Sequence, residues 1–171
     1  MTDDQAQFVT DQDLIALRVL HIMMPLVVVL FAGAVAWSYF TGEGIAFGES
    51  TADASMVTML TVVHGTILLS TITLSIIIPH SMTACGKSGD VSPRAIFARI
   101  RTAAIVRLAM LESTAVLGLV TCMLGVQVGT MDAQPLYWLN SISTLVLIVS
   151  AIVNFPTRES LANQVQRALR R

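Results

Sequence analysis

Glu112 is the residue whose type and position most invite chemistry, because it is an acid in the middle of the apolar run 102–124. If that run is a membrane-spanning helix, Glu112 lies about ten residues, or roughly 15 Å, from its start, near the centre of a bilayer. Insertion of a comparable acid at that depth costs roughly 2.5–3.5 kcal/mol, so the carboxyl has to face protein, be protonated or hold a cation. Two readings stay open. Glu112 is either a neutral acid that bonds to a neighbouring helix as packing glue, or a group that loads and releases a proton or sodium ion. Ala109 and Ala115, about one turn away, leave room for another helix to approach closely.

His64 is the second titratable group deep in an apolar run, 56–78. If the two runs form an antiparallel hairpin, His64 and Glu112 share a similar depth, and their pairing would make a proton relay or an ion pair. Polar residues also recur with helical spacing. Thr58, Thr61, His64, Gly65, Thr71 and Ser75 fall within about 140° of arc, and Asn140, Ser143, Thr144, Ser150 and Asn154 within about 120°. Such stripes face the inside of a bundle. They either bond across helices at roughly 0.6 kcal/mol each or line a water-filled half channel.

Other chemistries fit less well. Haem would need two axial ligands to converge, yet His21 and His64 are separated by on the order of 10 Å along the bilayer normal, and only His80 could approach His21. No metal or cofactor is therefore expected. The nine methionines do not cluster, which suits adaptable packing better than a metal relay. Arg107 reads as an interfacial anchor that snorkels; five residues subtend about 500°, leaving it about 140° from Glu112 on the same helix. No phosphate-binding glycine loop, Ser-His-Asp pattern or zinc-protease motif occurs, so an enzyme is not expected.

The run Leu108-Ala-Met-Leu-Glu112-Ser-Thr-Ala-Val-Leu-Gly118-Leu-Val120 resembles the ion-carrying helix of the rotor c subunits of ATP synthases. That resemblance implies that Glu112 is the carboxylate binding a proton or sodium. It covers about thirteen residues of the chain. The rest departs from the family, since run 56–78 has one glycine, Gly65, where rotor subunits are glycine-rich, and the following loop lacks their Arg-Gln/Asn-Pro signature. The chain also resembles small four-span bacterial membrane proteins with Arg107-x-Ala109-x-x-Glu112 and Pro156-Thr-Arg-Glu159 at corresponding places, a resemblance that implies no activity.

These residues need helices to position them, and the composition supplies them. The 171 residues are 54% hydrophobic and 12% charged, with a mean hydropathy of +0.74, whereas a soluble domain carries about 25% charged residues. A bilayer core about 30 Å thick takes roughly 20 apolar residues of helix. Four runs, 14–40, 56–78, 102–124 and 136–153, come to about that length. Lys87, Arg94, Arg99 and Arg101 lie between the second and third runs, and Arg158, Arg167, Arg170 and Arg171 follow the fourth. The other two loops hold Glu43, Glu49, Asp53 and Asp132 with no Lys or Arg. The positive-inside rule then places both termini in the cytoplasm of a cell inner membrane. Trp37, Tyr39, Phe40, Tyr137 and Trp138 are expected at the outer interface.

Finer features follow from local signals. The four aspartates before residue 14, with no Lys or Arg, argue against a cleaved leader. Cys85 and Cys122 fall on opposite halves and should not bridge. Ser92-Pro93 is expected to start the third helix, Pro25 to kink the first, and Pro79 to stop the second. Thr157 is expected to cap a tail helix, within 157–171, with Leu161, Val165 and Leu169 on one face; it lies on the anionic inner leaflet, or else the tail is frayed and basic. The expectation is an all-α membrane four-helix bundle of one domain, N-in and C-in. Its partners are the lipid bilayer and either further copies or a larger membrane complex, with no nucleic acid. It acts as a structural or accessory subunit, or else as a proton- or sodium-handling subunit using Glu112 and His64.

Overall fold

A computed structural model describes residues 9–42, 53–84 and 92–169, with the backbone alone for residues 79, 80 and 82–84. Glu43, Glu49, Cys85, Lys87, Arg170 and Arg171, and the side chain of His80, lie outside this description. In order come α1 (Asp11–Thr41), α2 (Ala54–Ala84), α3 (Pro93–Gln127), a short α4 (Thr130–Ala133), a 3-10 segment (Pro135–Ser141), α5 (Ile142–Val153) and α6 (Arg158–Leu169). All regular structure among the described residues is helical. Four stretches, Asp11–Thr41, Ala54–Ile78, Pro93–Gln127 and Pro135–Val153, are long and apolar enough to cross a membrane.

The helix boundaries have local causes. Thr10 caps α1 by accepting the Asp13 amide at 3.2 Å, and Gly42, at φ 67°, ends it in the left-handed conformation that glycine adopts without strain. Ser92 caps α3, with Pro93 in its first turn, as expected. Pro79 does not stop α2, which runs on to Ala84. Pro25 lies within the unbroken α1; apolar membrane-length helices tolerate a missing amide where side chains and neighbouring helices re-satisfy the backbone.

Asp53 opens α2. The Ser55 hydroxyl and the Met56 amide donate to its Oδ1 at 2.7 and 2.8 Å and hold the carboxyl below its usual 3.8. A carboxyl lowered in this way stabilises the fold above its ordinary value and loses that contribution as pH falls through the lowered one. The melting temperature of Asp53→Ala is therefore expected to fall below wild type at pH 7 and to converge with it as pH drops below 3.8. A gap that stays constant down to acid pH would show that the charged cap contributes nothing.

α3 is the central rod, packed on α1, α2, α5 and α6. Asp13 meets Arg101 at 2.7 Å, while Tyr39 donates to Asp132 at 2.8 Å, so α1 and α3 run parallel. α2 and α5 run the other way, since Val57 clusters with Cys122 while Thr71 bonds Thr114, and Cys122 meets the Tyr137 carbonyl while Arg107 bonds Asn154. The core stacks in three clusters along the bundle. Leu17, Phe97, Ile100 and Leu161 fill the end where the termini lie. Val28, Leu111, Ala115 and Leu147 fill the middle. Val35, Val57, Cys122 and Met131 fill the far end.

Two expectations about surfaces change. α6 forms, and the Thr157 hydroxyl accepts the Ser160 amide at 3.1 Å. Its apolar face, however, does not lie free for a leaflet: Leu161 and Val165 are buried against Val9, Leu14 and Ile96, and of the expected face only Leu169 is exposed. The reason is charge and reach, since Arg158 pairs with Asp11 and Arg18 donates to the Pro156 carbonyl at 3.2 Å, drawing the tail across the start of α1. At the opposite end Trp37 and Phe40 are exposed, as an interfacial belt would be, but Tyr137 is 7% exposed and turns inward.

Candidate functional site

The last membrane-length stretch is not one α-helix. Pro135 opens a 3-10 segment in which side chains bond carbonyls three residues back, Asn140 to Tyr137 at 2.9 Å and Ser141 to Trp138 at 2.7 Å, and Ser143 in the first turn of α5 does the same to Asn140 at 3.0 Å. Such local bonds compete with regular α-helical pairing. The tighter winding turns Tyr137 and Asn140 toward α2, so the two polar stripes meet in part, Thr61 and His64 against Asn140 and Ser143.

The seam is built on one repeated device. Thr58 and Thr61 of α2 each give their hydroxyl proton to a carbonyl four residues back, at 2.9 Å. Their oxygens are then free to accept from across the interface. Thr58 accepts from the Tyr137 hydroxyl at 2.7 Å, and Thr61 from Asn140 Nδ2 at 3.0 Å. Thr114 of α3 repeats the device, donating to the Met110 carbonyl and accepting from Thr71 at 3.0 Å.

Asn140 is the hub and is 2% exposed. Its nitrogen faces the Tyr137 carbonyl, which can only accept, so the amide orientation is fixed and Oδ1 faces His64 Nδ1 at 3.0 Å. His64 Nδ1 therefore donates. The other ring nitrogen lies 3.1 Å from Ser143 Oγ. Ser143 has a single hydroxyl proton. A neutral ring takes that proton at Nε2, whereas a protonated ring donates at both nitrogens and leaves Ser143 to donate to the Asn140 carbonyl.

Gly118 makes this meeting possible. A Cβ there would sit 2.2 Å from the Asn140 carbonyl oxygen, 2.7 Å from Ser143 Oγ and 2.8 Å from His64 Nε2. Gly65, the glycine within the α2 stripe, has nothing within 4 Å of such a Cβ and faces open space. Close approach is thus a property of α3, not of α2.

The structure does not join His64 to Glu112. The ring packs at Gly118, six residues beyond Glu112, which is about 9 Å along the helix and about 120° around it. Glu112 is half-buried and makes no hydrogen bond or ion pair among the described residues. It sits at the border of an outward strip of α3 formed by Ala109, Ser113, Val116 and Val120, next to the buried Leu108 and Leu119. Ser75 bonds within its own helix at 2.8 Å, and the buried hydroxyls of Thr144 and Ser150 have no partner. The seam thus takes in Thr58, Thr61, His64, Asn140 and Ser143 and leaves out Glu112, Ser75 and Thr144.

Arg107 donates to Asn154 Oδ1 at 2.9 Å instead of reaching out alone. His21 Nδ1 bonds the Leu17 carbonyl at 2.8 Å. Among the described residues, no three His, Cys, Asp or Glu side chains converge as a metal site would need. Sequence reasoning missed Tyr137 and Thr114 as seam members. The signal for Thr114 lay in its spacing four residues before Gly118.

An up-and-down helical bundle with four membrane-length apolar stretches and a hydrogen-bonded inner seam is compatible with a multi-pass membrane protein. No family model, curated protein or solved structure matches the chain.

Proposed function

We propose that the chain is an integral protein of the cell inner membrane, with both termini cytoplasmic, that serves as a structural or accessory subunit of a membrane complex. The orientation rests on the arginines gathered at the end where α1 begins and α6 packs, against Asp53 and Asp132 at the other end. One observation carries the accessory role. The inner seam closes on itself without Glu112, while Glu112 stands unpaired at the edge of an outward strip. A partly exposed acid at the edge of a hydrocarbon-facing strip is costly, and a partner helix, from a second copy or another subunit, is the economical way to cover it. Ala109 and Ser113 are small enough to admit one.

A second reading rests on the same unpaired carboxyl, namely that Glu112 takes up a proton or sodium ion. Purification in mild detergent with mass determination separates the two. For an accessory subunit, a companion in fixed stoichiometry is expected, and Glu112→Gln, which keeps the shape and the hydrogen-bonding capacity, retains it. Labelling of Glu112 by a hydrophobic carbodiimide, with protection by sodium or low pH, would support ion handling. A chain that purifies without a companion and is not labelled at Glu112 would remove both.

A further inference from the structure

Arg107 stands where two hollows adjoin. The first, a cavity of about 110 Å³ between α1, α3, α5 and α6, is lined by His21, Arg101, Arg107, Ser150, Asn154 and Gln164 among others. A water needs about 10–15 Å³ by the same measure, so the space suits a small oxyanion with a few waters. Its wall carries two arginines and no carboxylate. Arg101 is already neutralised by Asp13 at 2.7 Å. Arg107 is not, since it bonds only the neutral amide of Asn154 and its Nε is buried with no partner. The Ser150 hydroxyl, in a residue 9% exposed, is buried without a partner on the same wall.

The second hollow is an open groove of about 400 Å³ between α2 and α5. Ile72 and Ile76 form one side, Leu145 and Val149 the other, and Leu111 the floor, while Arg107, Ser150 and Asn154 belong to both hollows. From Asn154 back to Leu145 the groove follows nine residues of helix, about 14 Å. That is close to half of a hydrocarbon core about 30 Å thick. One cationic donor, Arg107, with the neutral Ser150 and Asn154 beside it, therefore stands at one end of an apolar trough one leaflet deep.

The geometry points to a binding site for an anionic phospholipid, with its phosphate against Arg107 Nε and the Ser150 hydroxyl and an acyl chain along the α2–α5 groove. Charge complementarity selects the headgroup: buried donors without an acceptor call for one, and an arginine without a counter-ion calls for negative charge. A free oxyanion would satisfy the polar hollow and leave the trough bare. This site rests on the membrane reading but not on the assembly role of Glu112, which lies on a different face of α3.

The test uses the full chain in mild detergent, offered phosphatidylglycerol, phosphatidylcholine or inorganic phosphate, with native mass spectrometry and melting temperature as readouts. Phosphatidylglycerol adducts are expected to outlast phosphatidylcholine adducts by about tenfold in affinity. Arg107→Gln is expected to abolish that preference. Val149→Trp, at a position 58% exposed and so open to a larger side chain, is expected to lose the adduct while melting as wild type does. Glu112→Gln is expected to bind lipid as wild type does. Equal retention of the two lipids, displacement of lipid by inorganic phosphate alone, or unchanged binding by Val149→Trp would overturn the site. A chain that dissolves without detergent would instead remove the membrane reading beneath it.

Discussion

Gly118→Ala is expected to destabilise the bundle severely, whereas Gly65→Ala is expected to leave it intact or slightly firmer. A single added carbon at residue 118 would lie 2.2 Å from the backbone oxygen of Asn140. Backbone cannot swing aside as a side chain can, so α3 and the 3-10 segment would have to separate, stretching the His64 bonds as they do. Overpacking costs about 1–3 kcal/mol and occasionally more, and this contact belongs at or beyond the upper end. At residue 65 no atom lies within 4 Å, and alanine gains about 0.5–1 kcal/mol over glycine within a helix. Thermal unfolding of both variants in one detergent, followed by circular dichroism, measures the contrast. Equal melting temperatures would show that α2, α3 and the 3-10 segment do not meet at Gly118.

Asn140→Leu carries the second large effect. It removes the acceptor of His64 Nδ1–H and the donors to Thr61 and the Tyr137 carbonyl in one change. A buried group left without its partner costs about 1–3 kcal/mol. His64 bears most of the loss, because Thr61 keeps its bond to the Val57 carbonyl. Replacing both partners by apolar groups is far milder than orphaning one, so His64→Leu added to Asn140→Leu should recover part of the lost stability. Additive losses in the double variant would mean that the two side chains are not coupled.

What could be read from the sequence follows the physics that acts locally. Membrane-length helices announce themselves by composition, and the caps Thr10 and Ser92 by residue type. The two polar stripes were readable because helical spacing alone puts Thr58, Thr61 and His64 on one face. Which stripe residue meets which was not readable, since that depends on the 3-10 winding of Pro135–Ser141, and α-helical spacing misplaces residues there by tens of degrees. Tyr137 was misassigned for that reason: its type suits an interface, but the winding turns it inward to Thr58. Run ends give an approximate depth for His64 and Glu112, whereas the contact point of the ring is set by the space beside the side-chain-free backbone of Gly118. The placement of α6 was hidden because its apolar face says that something must cover it without saying what. The covering residues come from two distant segments, Val9, Leu14 and Leu17 at the start of α1 and Ile96, Phe97 and Ile100 at the start of α3.

That clasp between the first and last helices constrains the order of events during synthesis. Val9, Leu14 and Leu17 leave the ribosome well before Leu161 and Val165, which complete the surface that shields them. α1 must therefore wait with one flank uncovered until α6 emerges, and a nascent protein arrested before residue 158 would carry an adhesive patch where a closed one belongs.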